Sequence, residues 1–313
     1  MSKQVEERLN RIPLVNLVVR FLKKIKLPGF EGLSVYDLLE MYVVGIIEGA
    51  LTTRASAIAF SFFTAIFPFL LFTIIIIPEI PIDGFQDKFL TFLDTFLPPQ
   101  TSEFFNQNIF ENISDKSSGS LFSTVFLLSM FLMANGVSAV FSGFEHSYHD
   151  QLSRGFFKQY LYAFGVALIL AFLVVVTVGV LAFTQIYVIT PLYENISGEE
   201  IESSTTGLFW LNTAKYVFST VMVYIATATL YYFGTREGRK SKFFSIGALF
   251  TTLLILLTSY LFGIYIENFS KYNELYGSIG ALLILLFYLW LNSNIILLGY
   301  ELNASLQQLR RKC

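Results

Sequence analysis

The chain holds a single cysteine, the last of its 313 residues, so no intramolecular disulfide can brace the fold and packing alone must do so. Histidine is nearly as scarce, with only His146 and His149. Charged residues make up 14% of the chain, against roughly a quarter in an average soluble domain. The 21 basic and 23 acidic residues leave a formal net charge of -2, so no overall basic field draws the molecule to nucleic acid. No Walker-type glycine loop, HExxH or GxSxG occurs in the chain. Hydrolytic chemistry needs a nucleophile with its base, or a cluster of metal ligands, and finds little here. What abounds is apolar surface. Of all residues 54% are hydrophobic and 17% aromatic, and the mean hydropathy is +0.61, more than a water-exposed globule can hide.

Met1 to Arg11 is polar and charged, and the next apolar stretch is interrupted by Lys23, Lys24 and Lys26, so no cleavable signal peptide is expected and insertion rests on internal segments. Crossing a hydrocarbon layer of ~30 Å takes about 20 apolar residues as helix, because only a helix satisfies its own backbone groups in lipid. Six stretches qualify: Ala55 to Ile77, Leu121 to Phe144, Gln159 to Leu192, Tyr216 to Thr235, Phe243 to Ile266 and Leu275 to Tyr300. The fold class expected is therefore all-α, a polytopic bundle of six transmembrane helices with added amphipathic helices at the N-terminus and on the outer side. Basic residues set its orientation. Seventeen of the 21 fall on one side of this threading: eight before the first span, two in the second connection, four in the fourth and three in the tail. Both ends are thus expected in the cytoplasm.

Three parts follow: interfacial helices over 1–53, a transmembrane domain over 54–304 with an outer loop at 79–120, and a basic cytoplasmic tail over 305–313. Within the first, Ile12 to Leu27 mixes apolar and basic residues as a helix in an anionic interface does, and Tyr36 to Leu51 reads as a second helix. In the outer loop, Gly84 to Leu97 repeats Phe85, Phe89, Phe92, Leu93 and Phe96 at helical spacing, ended by Pro98 and Pro99. Ser102 to Ile113 reads as a further short helix, and Glu194 to Thr206 as an acidic outer loop.

Polar groups at membrane depth cost free energy and so face a partner or a wet cavity. Asn135, Asn292 and Asn294 are the candidates, with interhelical hydrogen bonding as the structural alternative. Glu301 lies seven residues after Asn294, on nearly the same helical face, giving a polar strip that descends to the inner surface. Pro68 removes one backbone donor inside the first span and frees a carbonyl. Arg236, Arg239, Lys240 and Lys242 form an inner basic patch suited to anionic lipid, or simply to positive-inside retention. His146 and His149, three apart beside Glu145 and Asp150, are weak metal candidates that read more simply as an interfacial polar cluster. No metal or other cofactor is expected.

Several motifs carry a resemblance. Tyr265 to Ala281 contains Tyr276-Gly277-Ser278-Ile279-Gly280-Ala281 at the entry to the last span, and the span closes with Leu298-Gly299-Tyr300-Glu301-Leu302-Asn303-Ala304. Upstream stand Arg54-Ala55-Ser56-Ala57-Ile58-Ala59-Phe60 with Phe67-Pro68, then Ala134-Asn135-Gly136, then Arg154-Gly155-Phe156-Phe157-Lys158. Together, over Tyr36 to Leu306, they resemble the YihY/BrkB family of bacterial inner-membrane proteins. Two departures stand out: Phe233-Gly234-Thr235-Arg236 replaces a proline-containing turn, and Tyr300 follows Gly299 where the family has alanine. The resemblance implies six spans and an inner-membrane location but no defined activity. A tRNA-processing ribonuclease label attached to the family gains no support from these residues, which offer neither nuclease ligands nor a strongly basic surface.

The leading expectation is transport or lipid handling through a partly polar cavity lined by Asn135, Asn292, Asn294 and the backbone near Pro68. The partners expected are membrane lipids and a hydrophobic or amphiphilic substrate, not nucleic acid. A non-catalytic scaffold binding anionic lipid or a partner protein through the basic patch is the alternative. An enzyme acting on lipid headgroups at Glu145, His146, His149 and Asp150 is third.

Overall fold

A computed structural model describes residues 13–26, 34–37, 39–40, 50–76, 119–145, 154–184, 201–236, 238–240, 242–268 and 278–312. The described residues are helical almost throughout. The helices are α1 (Pro13–Lys24), α2 (Ala50–Ile76), α3 (Gly119–Glu145), α4 (Phe156–Phe183), α5 (Ile201–Gly234), α6 (Ile246–Asn268) and α7 (Ser278–Lys312), with a 3-10 turn at Gly238–Lys240 between α5 and α6. Among the described residues the only β-type pairing is an isolated bridge between Lys26 and Ser34.

The long helices follow from the apolar runs, whose backbone groups have no other partner in lipid. Among the described residues, stretches long and apolar enough to cross a membrane occur in five helices: Leu127–Glu145, Phe156–Leu181, Phe209–Gly234, Ile246–Ile266 and Leu282–Gln307. The 27-residue α2 packs among them and carries a buried Pro68 in its interior.

Two helices outrun the spans expected for them. α5 begins at Ile201, so part of the segment read as an acidic loop is helix, and α7 continues through the basic tail to Lys312. The apolar stretches reach only part-way into these extensions, to Phe209 and to Gln307, and the rest of each is mostly polar. The expected helix over Tyr36 to Leu51 is seen only at its two ends, and the outer helices at 84–97 and 102–113 lie outside the described residues.

Each long helix packs on the next in sequence, and α7 returns to α2, closing a ring of six. α3 also reaches across to α5 and α7. Burial concentrates at one end of this ring: the start of α2, the end of α3, the start of α4, the end of α5, the start of α6 and the end of α7. Phe141 and Phe144 are wholly buried there with Ile58 and Leu297. The Phe144 ring stacks on Tyr300 at 4.1 Å and meets Tyr231 edge-on at 5.6 Å, joining α3, α5 and α7. Toward the other end exposed apolar side chains predominate, among them Phe172, Phe183, Trp210, Leu257 and Tyr260.

Candidate functional site

The tight end is held by side chains that tie helix ends to one another. Arg54 of α2 pairs with Glu301 of α7 at 3.1 Å and donates to the Gly143 carbonyl of α3 at 2.9 Å, with both charged side chains largely buried. Tyr231 of α5 donates to the Ile296 carbonyl of α7 and shares a 2.6 Å hydroxyl bond with Thr251 of α6. The Tyr300 hydroxyl bonds that of Thr235, which also accepts the Gly238 N–H. Asn303 accepts the Gly247 N–H in the first turn of α6 and donates to Ser245, so α7 caps the start of α6. Asn303→Ala will strip that cap and cost about 1–3 kcal/mol, read as a lower thermal unfolding midpoint in detergent.

Beside this lock lies a cationic pocket of about 360 Å³, lined by Arg154, Gly155, Lys158 and Tyr162 at the start of α4 and by Arg236 and Arg239 just beyond α5. Arg154 is buried and builds the wall. Its guanidinium donates to the carbonyls of Phe233 and Thr235 at 2.5 and 2.6 Å, completing the C-terminus of α5, and its backbone N–H donates to Glu145. It stacks 4.2 Å from the Tyr162 ring, whose hydroxyl accepts from Arg239 at 2.8 Å. Burial lowers the pKa of Arg154 from its usual value. Arg239 and Arg236 add to that effect, while Tyr162 and Glu145 oppose it. Lys158, Arg236 and Arg239 are exposed. The N-cap of α4, Gly155, has no side chain to satisfy the first N–H groups. The next two residues, Phe156 and Phe157, are 75% and 87% exposed, apolar surface at the rim of a charged pocket.

The residues singled out in the sequence are dispersed. Asn135 is exposed on α3 between buried Ala134 and Gly136. Asn292 and Asn294 each donate to the carbonyl four residues back, at Tyr288 and Trp290. Asn294 is buried, and Asn292 Oδ1 is buried without a hydrogen-bond partner among the described residues. Glu301 shares the buried face of α7 and ends in the ion pair with Arg54. Of the basic patch, Arg236 and Arg239 line the pocket; Lys242 is exposed elsewhere, and the Lys240 side chain lies outside the described residues. Gly280 is buried, and Ser278 opens α7. Tyr276, Gly277, His146 and His149 lie outside the described residues. Among the described residues no group of three His, Cys, Asp or Glu side chains could hold a metal ion.

Arg54, Gly299, Glu301 and Asn303 are tied into one junction, and these are the residues of the motifs that resemble a known family. A family model described as Virulence factor BrkB matches residues 44–312. The chain belongs to that family. YfkH of Bacillus subtilis (strain 168), whose name likens it to a ribonuclease, is 22% identical over 259 residues, 83% of this chain and 91% of that protein. A UPF0761 membrane protein of Psychrobacter sp. (strain PRwf-1) is 22% identical over 90% of this chain, which spans half of that protein's length. Another, of Aggregatibacter aphrophilus (strain NJ8700), is 22% identical over 84% of this chain and 89% of its own length. No solved structure matches the chain. A multi-pass membrane protein of the BrkB family is what the apolar helices and the match together establish.

Sequence reasoning used Arg154 and Lys158 for orientation and as part of a family motif, and passed over Tyr162, Tyr231 and Thr251. The signal for the pocket was present: Arg154 and Lys158 bracket two phenylalanines at the entry to a span, an amphiphilic boundary that retention of positive charge alone does not require.

Proposed function

We propose that this BrkB-family chain is a six-span protein of the bacterial inner membrane, with both ends cytoplasmic, that handles a membrane lipid or similar amphiphile and is not itself a catalyst. One observation carries this reading: a cationic pocket opens where the exposed apolar face of α4 begins, so a single site offers charge to a headgroup and hydrocarbon contact to a tail. The face continues along α4. Phe157, Leu161 and Phe172 are 87%, 72% and 65% exposed and fall within one helical stripe. Gly165 lies between them, and a side chain added there would meet nothing within 4 Å. The interlocked tight end supports a second reading, a scaffold that binds lipid without moving it.

Flux separates the two. In proteoliposomes carrying fluorescent phosphatidylglycerol, the protein is expected to accelerate transfer between leaflets at least about tenfold over protein-free vesicles, measured by dithionite quenching of the outer leaflet; tenfold corresponds to a barrier lowered by about 1.4 kcal/mol. A rate equal to that of protein-free vesicles would overturn lipid movement and leave the scaffold.

A further inference from the structure

We infer that the pocket between the start of α4 and the end of α5 is the phosphate site for one anionic phospholipid of the inner leaflet, contacted by Lys158, Arg236 and Arg239 and shaped by Arg154. This rests on the lipid-handling reading and names the ligand class at the same site.

Four cations line one pocket, and among the described residues no carboxylate joins them in its lining. Like charges gathered this closely repel unless an anion sits among them. The nearest described acid, Glu145, already accepts the Arg154 backbone N–H, and Glu237 lies outside the described residues. The division of labour is visible in the hydrogen bonds. Arg154 spends its guanidinium on the Phe233 and Thr235 carbonyls and the Tyr162 ring, which makes it a positioning residue. Arg239 gives one N–H to Tyr162 and keeps others, while Lys158 and Arg236 are exposed and line the opening. The uncapped first turn of α4, beginning at Gly155 in the lining, adds backbone N–H groups and the positive end of a helix dipole.

Phosphate suits these donors better than a single carboxylate, because its oxygens can engage several cations at once. About 360 Å³ is within the range of pockets that hold whole small molecules, leaving room for a glycerol or sugar attached to the phosphate. The cations disfavour a headgroup that ends in its own positive charge, which excludes phosphatidylcholine as the preferred ligand. Free phosphate would use none of the apolar rim, whereas a lipid places its acyl chains along Phe157 and Leu161.

The test uses the full-length protein, delipidated in detergent, with phosphatidylglycerol or phosphatidylcholine added and bound lipid counted by native mass spectrometry. Phosphatidylglycerol is expected to bind in preference. Lys158→Gln with Arg236→Gln, two exposed changes that spare the helix-end bonds, is expected to weaken it on the order of thirtyfold, the loss due to two cations near an anionic surface. Phe157→Ser should weaken it further, and 10 mM inorganic phosphate should not displace it. Equal binding of both lipids, or binding untouched by the double variant, overturns the site. Full displacement by inorganic phosphate with Phe157→Ser silent overturns the lipid as its source. Because this assay measures binding and the vesicle assay measures flux, loss of the pocket with flux intact would sink this inference alone. Flux equal to protein-free vesicles with binding intact would sink lipid movement alone.

Discussion

Gly299→Ala will destabilise the folded protein by about 3 kcal/mol, at the upper end of overpacking, and lower its yield from membranes. A Cβ at residue 299 would overlap the Thr251 hydroxyl, reach 2.6 Å from the Tyr231 hydroxyl and lie 2.9 Å from the Gly247 carbonyl oxygen. The neighbour across the interface cannot yield cheaply, because Tyr231 and Thr251 are bonded to each other and Tyr231 to the Ile296 carbonyl. A Cβ at Gly247 would in turn collide with the Gly299 carbonyl, so α6 and α7 touch glycine to glycine. Gly263→Ala supplies the contrast. It lies on the same α6, a Cβ there meets nothing within 4 Å, and the change should be neutral or stabilising within about 1 kcal/mol. Thermal unfolding of both variants in the same detergent measures the difference. Equal midpoints would contradict the close approach.

The Arg54–Glu301 pair is the second large effect. Their side chains retain only 13% and 11% of their exposure, so removing either partner strands a charge in a poorly solvated place. Arg54→Ala and Glu301→Ala should each cost about 3–5 kcal/mol. The double variant should cost less than the two together, since it removes both charges and leaves the Gly143 carbonyl as the main loss. Strict additivity in this cycle would mean that the two residues act independently. Cells lacking the native protein and supplied with either single variant should show reduced membrane accumulation before any change in location.

Much of the architecture was legible because hydropathy reports what lipid demands: an apolar run of sufficient length has few options but helix. Helix ends were less legible. At Ile201–Thr206 the chain is polar enough to read as part of an acidic loop, yet it belongs to α5, and the basic tail from residue 305 continues α7. Rotation about the helix axis was not legible at all. Asn135 lies between two buried small residues and is still exposed, a matter of about 100° per residue that mean hydropathy does not register. Asn292 and Asn294 read as lining a cavity or bonding another helix, and in the structure each amide N–H turns back to the carbonyl four residues earlier. The closing motif was readable as a family signature and gained its physical meaning only in three dimensions: Gly299 for close approach, Glu301 for the ion pair, Asn303 for the cap of a neighbouring helix. Tyr300 fits beside Gly299 because its ring stacks on Phe144 and its hydroxyl bonds Thr235. The pocket escaped because its two halves, Arg154 with Lys158 and Arg236 with Arg239, are remote in sequence and meet only through the packing of α4 on α5.

The central claim is that a lipid headgroup occupies this pocket, and a high-resolution structure in nanodiscs of phosphatidylglycerol and phosphatidylcholine tests it most directly. Phosphate density is expected within hydrogen-bonding distance of Lys158 and Arg236, with acyl density running past Phe157 and Leu161. A pocket filled only by water, with lipid confined to the rest of the perimeter, would contradict it.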